Sequence, residues 1–309
     1  MDPTPDDGLN TDGLDLTGVV RMIRVTVPAE LGDVVSDRFW QVGVRGVSEI
    51  DLADGRVEIT SSVGNDQDAI DRTVATFDSD WEWVIDEVSG GPADTWKEFA
   101  TPVWYRPGMV IVPAWLDTGD DEVDEADVVT RVEPGSAFGL GDHPTTKGSM
   151  ALLAAALERL EPAGASVLDV GCGTGVLAVL AAQLGVGTVR AIDIAHAAVS
   201  ATRTNAELNG VAGRVEVDTT AVDLVVGTFD VVVANILAPV LVSMAPHLVR
   251  LTSPRGCLVI SGLLESRHDH VLRALAPLQP VDSLVEDGWI TIELRHPGGR
   301  VPGTNPRSV

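Results

Sequence analysis

Lysine, cysteine and tyrosine are scarce in this 309-residue chain, which has two lysines (Lys97 and Lys147), two cysteines (Cys172 and Cys257) and one tyrosine. Both cysteines sit inside apolar segments, offer neither a disulfide framework nor metal-ligand spacing, and read as small buried hydrophobes. The histidines are scattered apart from His268 and His270, which read as helix-surface residues, so no metal site is expected. No apolar run approaches the roughly eighteen residues of a membrane span. Met1 opens onto an acidic, proline-containing segment and not a basic region with an apolar core, so the expected location is cytoplasmic, without a membrane. Basic residues are few as well: 21 Lys and Arg against 46 Asp and Glu give a formal net charge of −25. Such a surface repels a phosphate backbone, so direct nucleic-acid binding is not expected and a basic protein is the better partner.

What is present is enough for a core, at 45% hydrophobic residues, and the length suggests two domains. Charge is unevenly placed: residues 1–130 carry 29 acids and 8 bases, residues 131–309 carry 17 and 13. Residues 1–16 read as a disordered acidic tail. Over residues 17–90, alternating Ile23, Val25 and Val27, a helix through Phe39 and Trp40, strands at Val42–Ile50 and Arg56–Thr60, a helix at Asp66–Phe77 and a strand at Trp81–Val88 predict a ferredoxin-like α+β domain. Residues 91–127 read as a linker with a short hairpin, ending in seven acids between Asp117 and Asp127; that run is either a solvated loop or a means of steering a partner. Residues 128–296 alternate βα, with strands at Ser166–Asp169, Thr188–Asp193, Val215–Asp218, Phe229–Ala234 and Gly256–Ser261. Helices are expected at Thr146–Leu160, Gly175–Leu184, Ala195–Asn209, Ala238–Leu251 and Ser266–Ala276. A late antiparallel pair, Gln279–Glu286 and Trp289–Leu294, turns at Asp287-Gly288. Residues 297–309 read as a disordered tail.

Three segments carry chemistry. In Val167-Leu-Asp-Val-Gly-Cys-Gly-Thr-Gly175, a strand runs into Gly171, Gly173 and Gly175 and then a helix, which lets a cofactor approach the main chain. Asp193 follows at the end of the next strand, where a carboxylate accepts from both ribose hydroxyls. The order Asp-x-Gly-x-Gly-x-Gly differs from the nicotinamide pattern and resembles motif one of methyltransferases that use S-adenosyl-L-methionine. Second, Phe229-Asp-Val-Val-Val-Ala-Asn-Ile-Leu-Ala238 places Asn235 outside a strand's carboxyl end, where its amide can hold an amine while Ile236 and Leu237 exclude water; capping the next helix is its other reading. Third, Val132 to Lys147 contains Phe138, which can pack against a ligand, and Thr146, whose hydroxyl can donate at a helix start. Helix capping by Thr145 or Thr146 is the alternative. His143 precedes Pro144 without an identifiable partner.

Together these stretches resemble the bacterial family that methylates protein eleven of the large ribosomal subunit. The likeness is carried by Phe138 to Thr146, with its His-Pro-Thr-Thr, by Asn235-Ile-Leu-Ala238, by Asn205-Ala-Glu-Leu-Asn-Gly-Val211 and by Ser261-Gly-Leu-Leu264. It implies an α/β fold: a class I seven-stranded Rossmann-like methyltransferase domain behind the N-terminal ferredoxin-like domain, which would recognise a basic ribosomal protein substrate. It implies S-adenosyl-L-methionine as cofactor, bound through Thr146, Gly171, Asp193 and Asn235, and transfer to lysine side-chain and N-terminal amines. Asn235 would also be the catalytic residue, aligning the amine, and the chain would act as a monomer. Leu140 and Asp142 stand where the family usually has threonine, and Ala195 where it commonly has aspartate. Another protein lysine as target, or a non-catalytic cofactor-binding role, are the competing readings.

Overall fold

The computed structural model describes residues 19–298 apart from 43, 45, 46, 53, 90–100, 117–122, 124, 134–140 and 161. The chain divides into two compact units, Met1–Phe99 and Ala100–Val309.

In the first unit the elements run β1 (Val19–Pro28), α1 (Gly32–Gln41), β2 (Val47–Asp51), β3 (Arg56–Ser61), α2 (Gln67–Val74) and β4 (Glu82–Ser89). The sheet is antiparallel with order β2-β3-β1-β4. This is the ferredoxin-like arrangement. Ile23, Val25 and Val27 of β1 and Val57 and Ile59 of β3 point to one face, where they are buried against Val35 and Phe39 of α1 and Ile70 of α2. Phe77 packs edge-on to Phe39, with centroids 5.6 Å apart. Asp66 caps α2 by accepting the Asp68 N–H at 3.2 Å. The sequence pattern starts β2 at Val42, but the strand begins at Val47: the N–H groups of Val42 and Val44 both return to the Phe39 carbonyl, closing the helix instead of extending a strand.

In the second unit, a hairpin of β5 (Val103–Arg106) and β6 (Met109–Pro113) is extended by β7 (Val128–Val132), which lies parallel to β6. After it come α3 (Pro144–Leu160), β8 (Ser166–Val170), α4 (Val176–Gln183), β9 (Thr188–Ile192), α5 (His196–Leu208), β10 (Val215–Asp218), β11 (Phe229–Asn235), α6 (Ala238–Leu251), β12 (Thr252–Leu264), α7 (Asp269–Ala274), β13 (Gln279–Glu286) and β14 (Trp289–Arg295). The seven-stranded sheet has order β10-β9-β8-β11-β12-β14-β13. Its first five strands are parallel, β14 runs antiparallel between β12 and β13, and β13 returns to the direction of the first five. This is the class I methyltransferase arrangement.

Successive residues of β11 face opposite cores. Val231 and Val233 pack with the Leu153 and Leu157 side of α3 and with α4; Val232 and Ala234 pack with Leu241 and Leu248 of α6 and with Val271. An unbroken apolar strand is therefore the sequence of a layer covered on both sides. The strand order reverses between β8 and β11, and in such sheets a ligand usually lies beyond the carboxyl ends of the strands at that reversal.

Candidate active site

Residues 171–175 turn β8 into α4. A side chain is excluded at Gly175, whose φ is +78° and where a Cβ would lie 2.6–2.8 Å from Thr202. At Gly171, φ +70°, a Cβ would press on the Ile236 side chain at 3.3 Å. The bare main chain between them is held from beneath. Thr202 donates to the Gly173 carbonyl at 3.2 Å, and the amide of Asn205 donates to the Thr174 carbonyl at 2.9 Å. Both side chains are buried on α5.

The Asp193 carboxylate closes the loop from the next strand. One oxygen accepts the Gly173 N–H at 3.1 Å and the other the Ala195 N–H at 2.9 Å. An ionised carboxylate has about four acceptor positions, so capacity for two ligand hydroxyls remains.

Below the loop, Asp169 is fully buried in β8. Its Oδ2 accepts the Ala178 N–H at 3.2 Å, satisfying an otherwise orphaned donor in the first turn of α4, while Oδ1 has no hydrogen-bond partner. Burial pushes its pKa up to about 7, against the Ala178 hydrogen bond, which lowers it. The Cys172 thiol beside it is likewise pushed up by burial.

At the end of β11, Asn235 stands opposite Ser261 of β12, and its Nδ2 lies 3.5 Å from the Thr146 hydroxyl in the first turn of α3. Asn235 does not cap α6; that position belongs to Leu237. The following Ile236 N–H donates to the Ser261 carbonyl at 3.2 Å, which fixes the side chain over Gly171. Two groups of residues expected from the sequence are thus each brought together, Gly171, Gly173, Gly175 and Asp193 in one and Thr146 and Asn235 in the other, with Ile236 linking them. Phe138 lies outside the described residues.

Neither Thr145 nor Thr146 caps α3. The helix starts at Pro144, whose missing N–H costs nothing there, and the Nδ1 of His143 accepts the Thr145 N–H at 3.3 Å and lies 2.7 Å from its hydroxyl. The His143 ring meets Trp289 edge-on at 5.0 Å, and burial holds its pKa below the ordinary value. Among the supporting residues, Asp169 and Asn205 lie in segments that carry the resemblance but have no role assigned from the sequence, and Thr202 lies outside those segments. Among the described residues no cluster of His, Cys, Asp or Glu is arranged to hold a metal.

The donor set fits a ribose-bearing ligand: bare glycine main chain, the Asp193 carboxylate for hydroxyls, and the amide of Asn235 where the ligand's reactive end would face a substrate.

The family described as ribosomal protein L11 methyltransferase (PrmA) matches residues 62–297. A ribosomal protein L11 methyltransferase of Geotalea uraniireducens (strain Rf4) is 42% identical over 190 residues, covering 58% of this chain and 59% of that protein. The chain thus spans about three-fifths of that relative's length. One from Sorangium cellulosum (strain So ce56) is 31% identical over 310 residues, covering 90% and 96%. The crystal structure of ribosomal protein L11 methylase from Lactobacillus delbrueckii subsp. bulgaricus is 31% identical, with a TM-score of 0.57, covering 64% of this chain and 99% of that one.

Proposed function

The chain belongs to the ribosomal protein L11 methyltransferase family, and from that premise we propose that it transfers methyl groups from S-adenosyl-L-methionine to lysine side-chain and N-terminal amines of that ribosomal protein. The cofactor, when bound, supplies an electrophilic methyl group on a sulfonium sulfur. Gly171, Gly173 and Gly175 offer their main chain to it, Asp193 accepts from its ribose hydroxyls, and Thr146 and Asn235 border its reactive end; Phe138 is assigned to the same pocket from the sequence.

The substrate amine attacks only as the neutral base. A free lysine has a pKa near 10.4, so the site must favour the deprotonated form by removing the ammonium group from water. Ile236 and Leu237 wall the approach and exclude water. The Asn235 carbonyl oxygen accepts a hydrogen from the neutral amine and turns its lone pair towards the methyl carbon, so that alignment does most of the work. The proton is lost to water before attack.

The observation that carries this reading is the joining of the two groups: Ile236, which follows Asn235, lies over the first glycine of the loop that Asp193 closes. The N-terminal ferredoxin-like unit is assigned to substrate recognition, in a cytoplasmic setting. Its acidic composition complements a lysine-rich protein. Incubating the full chain with methyl-labelled S-adenosyl-L-methionine and purified ribosomal protein L11, followed by mass spectrometry, tests the assignment. Label on lysine and N-terminal amines is expected; an unlabelled L11 overturns it.

A further inference from the structure

A cleft of about 320 Å³ opens beside the methyl-transfer site, lined by Trp104 and Tyr105 of β5, the first two turns of α3, Leu284, Val285 and Glu286 of β13, and Trp289 and Thr291 of β14. The register Leu264↔Trp289 puts the start of β14 at the carboxyl end of β12, the same end as Asn235. Yet the cleft is not the amine pocket. At 100° per residue, Pro144, Lys147, Gly148 and Ala151 share one face of α3, and Thr146, which meets Asn235, lies on the opposite one.

Apolar side chains stand exposed around the cleft. Trp104 is 41% exposed, Leu284 42% and Val285 50%, and every residue of β13 is exposed. β13 is also the outermost strand of the sheet, hydrogen-bonded only to β14. Glu286 lines the cleft, and the strand that carries it is acidic: Asp282 and Glu286 on β13 and Asp287 in the turn after it are all exposed, as is Asp142 two residues before α3. Lys147 pairs with Glu286 at the mouth. Such an arrangement takes an extended segment that adds to the β13 edge, places one apolar side chain between Trp104 and Leu284, and carries cations on either side.

We propose that this cleft docks a basic, extended segment of the protein substrate, reading an apolar side chain near the target amine. The inference rests on the function proposed above. A helix is about 10 Å across, and an extended chain rises about 3.3 Å per residue, so the side chain read here is about three to four residues from the methylated one.

Two variants test it in the full chain with purified L11: Trp104→Ala, which opens the pocket, and Glu286→Lys, which reverses charge on an exposed strand. Each is expected to raise KM for L11 about tenfold, leave kcat within twofold, and leave the Kd for S-adenosyl-L-methionine unchanged by calorimetry. The inference is overturned if KM stays put for both, if kcat and cofactor affinity fall together, or if sedimentation shows a wild-type dimer that Trp104→Ala dissociates, which would make a second copy the occupant. A wild-type chain that labels no L11 removes the proposed function instead, and the docking assignment with it.

Discussion

The side-chain amide of Asn205 engages both main-chain groups of Glu133: its oxygen accepts the Glu133 N–H at 2.8 Å and its nitrogen donates to the Glu133 carbonyl at 2.9 Å. One turn further on, Asn209 does the same for Arg131, at 2.8 and 2.7 Å. Residues 131 and 133 point their main-chain groups the same way along a strand, and residues 205 and 209 share a helix face, so two amide side chains stand in for a missing neighbour strand. The nitrogen of Asn205 also holds Thr174, which fastens the glycine loop to the exit of β7.

Replacing Asn205 with Ala leaves a Glu133 N–H and two carbonyls without these partners, the Thr174 carbonyl in a buried setting and the Glu133 groups in a half-buried one, at about 1–3 kcal/mol for each group left unsatisfied. A loss of 3 kcal/mol or more in urea unfolding is expected, with weaker cofactor binding in whatever remains folded. Asn205→Asp keeps the acceptor but sets a charge against two carbonyl oxygens, and should be no better than Ala. A stable Asp variant would contradict the pairing described.

Gly175→Ala combines backbone strain at φ +78° with a clash against Thr202. The strain alone costs about 1–2 kcal/mol. Thr202→Ala in the same chain removes the two nearer atoms, Cγ2 and Oγ1, and leaves the Cβ contact at 2.8 Å and the strain, so the double variant recovers part of the stability lost in the single one. Thermal unfolding of the three variants measures this; strictly additive losses would mean that the two side chains do not meet.

Stability should also depend on pH through Asp169. The unfolded carboxyl ionises near its ordinary 3.8, whereas the folded one holds its proton to about 7. Between those values the folded chain binds more protons than the unfolded, so this group's contribution is full below pH 3.8 and is lost as pH rises towards 7, by at most about 4 kcal/mol at 1.4 kcal/mol per pH unit. Asp169→Asn does not titrate. Urea unfolding of both proteins without cofactor should therefore show the variant gaining on the wild type from pH 4.5 to 8; parallel stability curves would place the folded pKa near its ordinary value.

The two halves of the site separate by kinetics. Asp193→Ala removes the ribose acceptor and should raise the cofactor Kd about 100-fold, since hydrogen bonds to a charged group are worth about 1.5–3 kcal/mol. Asn235→Ala removes an aligning group and should lower kcat about 10²-fold while moving the cofactor Kd less than fivefold. Isothermal titration with cofactor alone and steady-state rates decide; an exchange of the two effects would reverse the roles.

Much of this was written in local pattern. The strand, the three glycines, Asp193 and the βα alternation all declare themselves within short windows, and α6 spans the residues its apolar spacing marks out. The rest depends on partners far along the chain. β7 is a five-residue strand directly after an acidic run, and β6 receives it in parallel. Asn205 reaches Glu133 across 72 positions and Asn235 reaches Thr146 across 89, distances that no periodicity encodes. The hydrogen-bond partner of His143, Thr145, lies two residues along, but its ring neighbour Trp289 comes only with the last strand.

The double grip of Asp193 on Gly173 and Ala195 has a consequence for how a ligand arrives. The acid that is to receive the ribose is also the clasp that shapes the loop, so the receiving surface is set by the chain's own hydrogen bonds. Little main-chain ordering is left for the moment of association, which lowers its entropic penalty. The affinity that Asp193 confers is therefore partly exercised before the ligand is met.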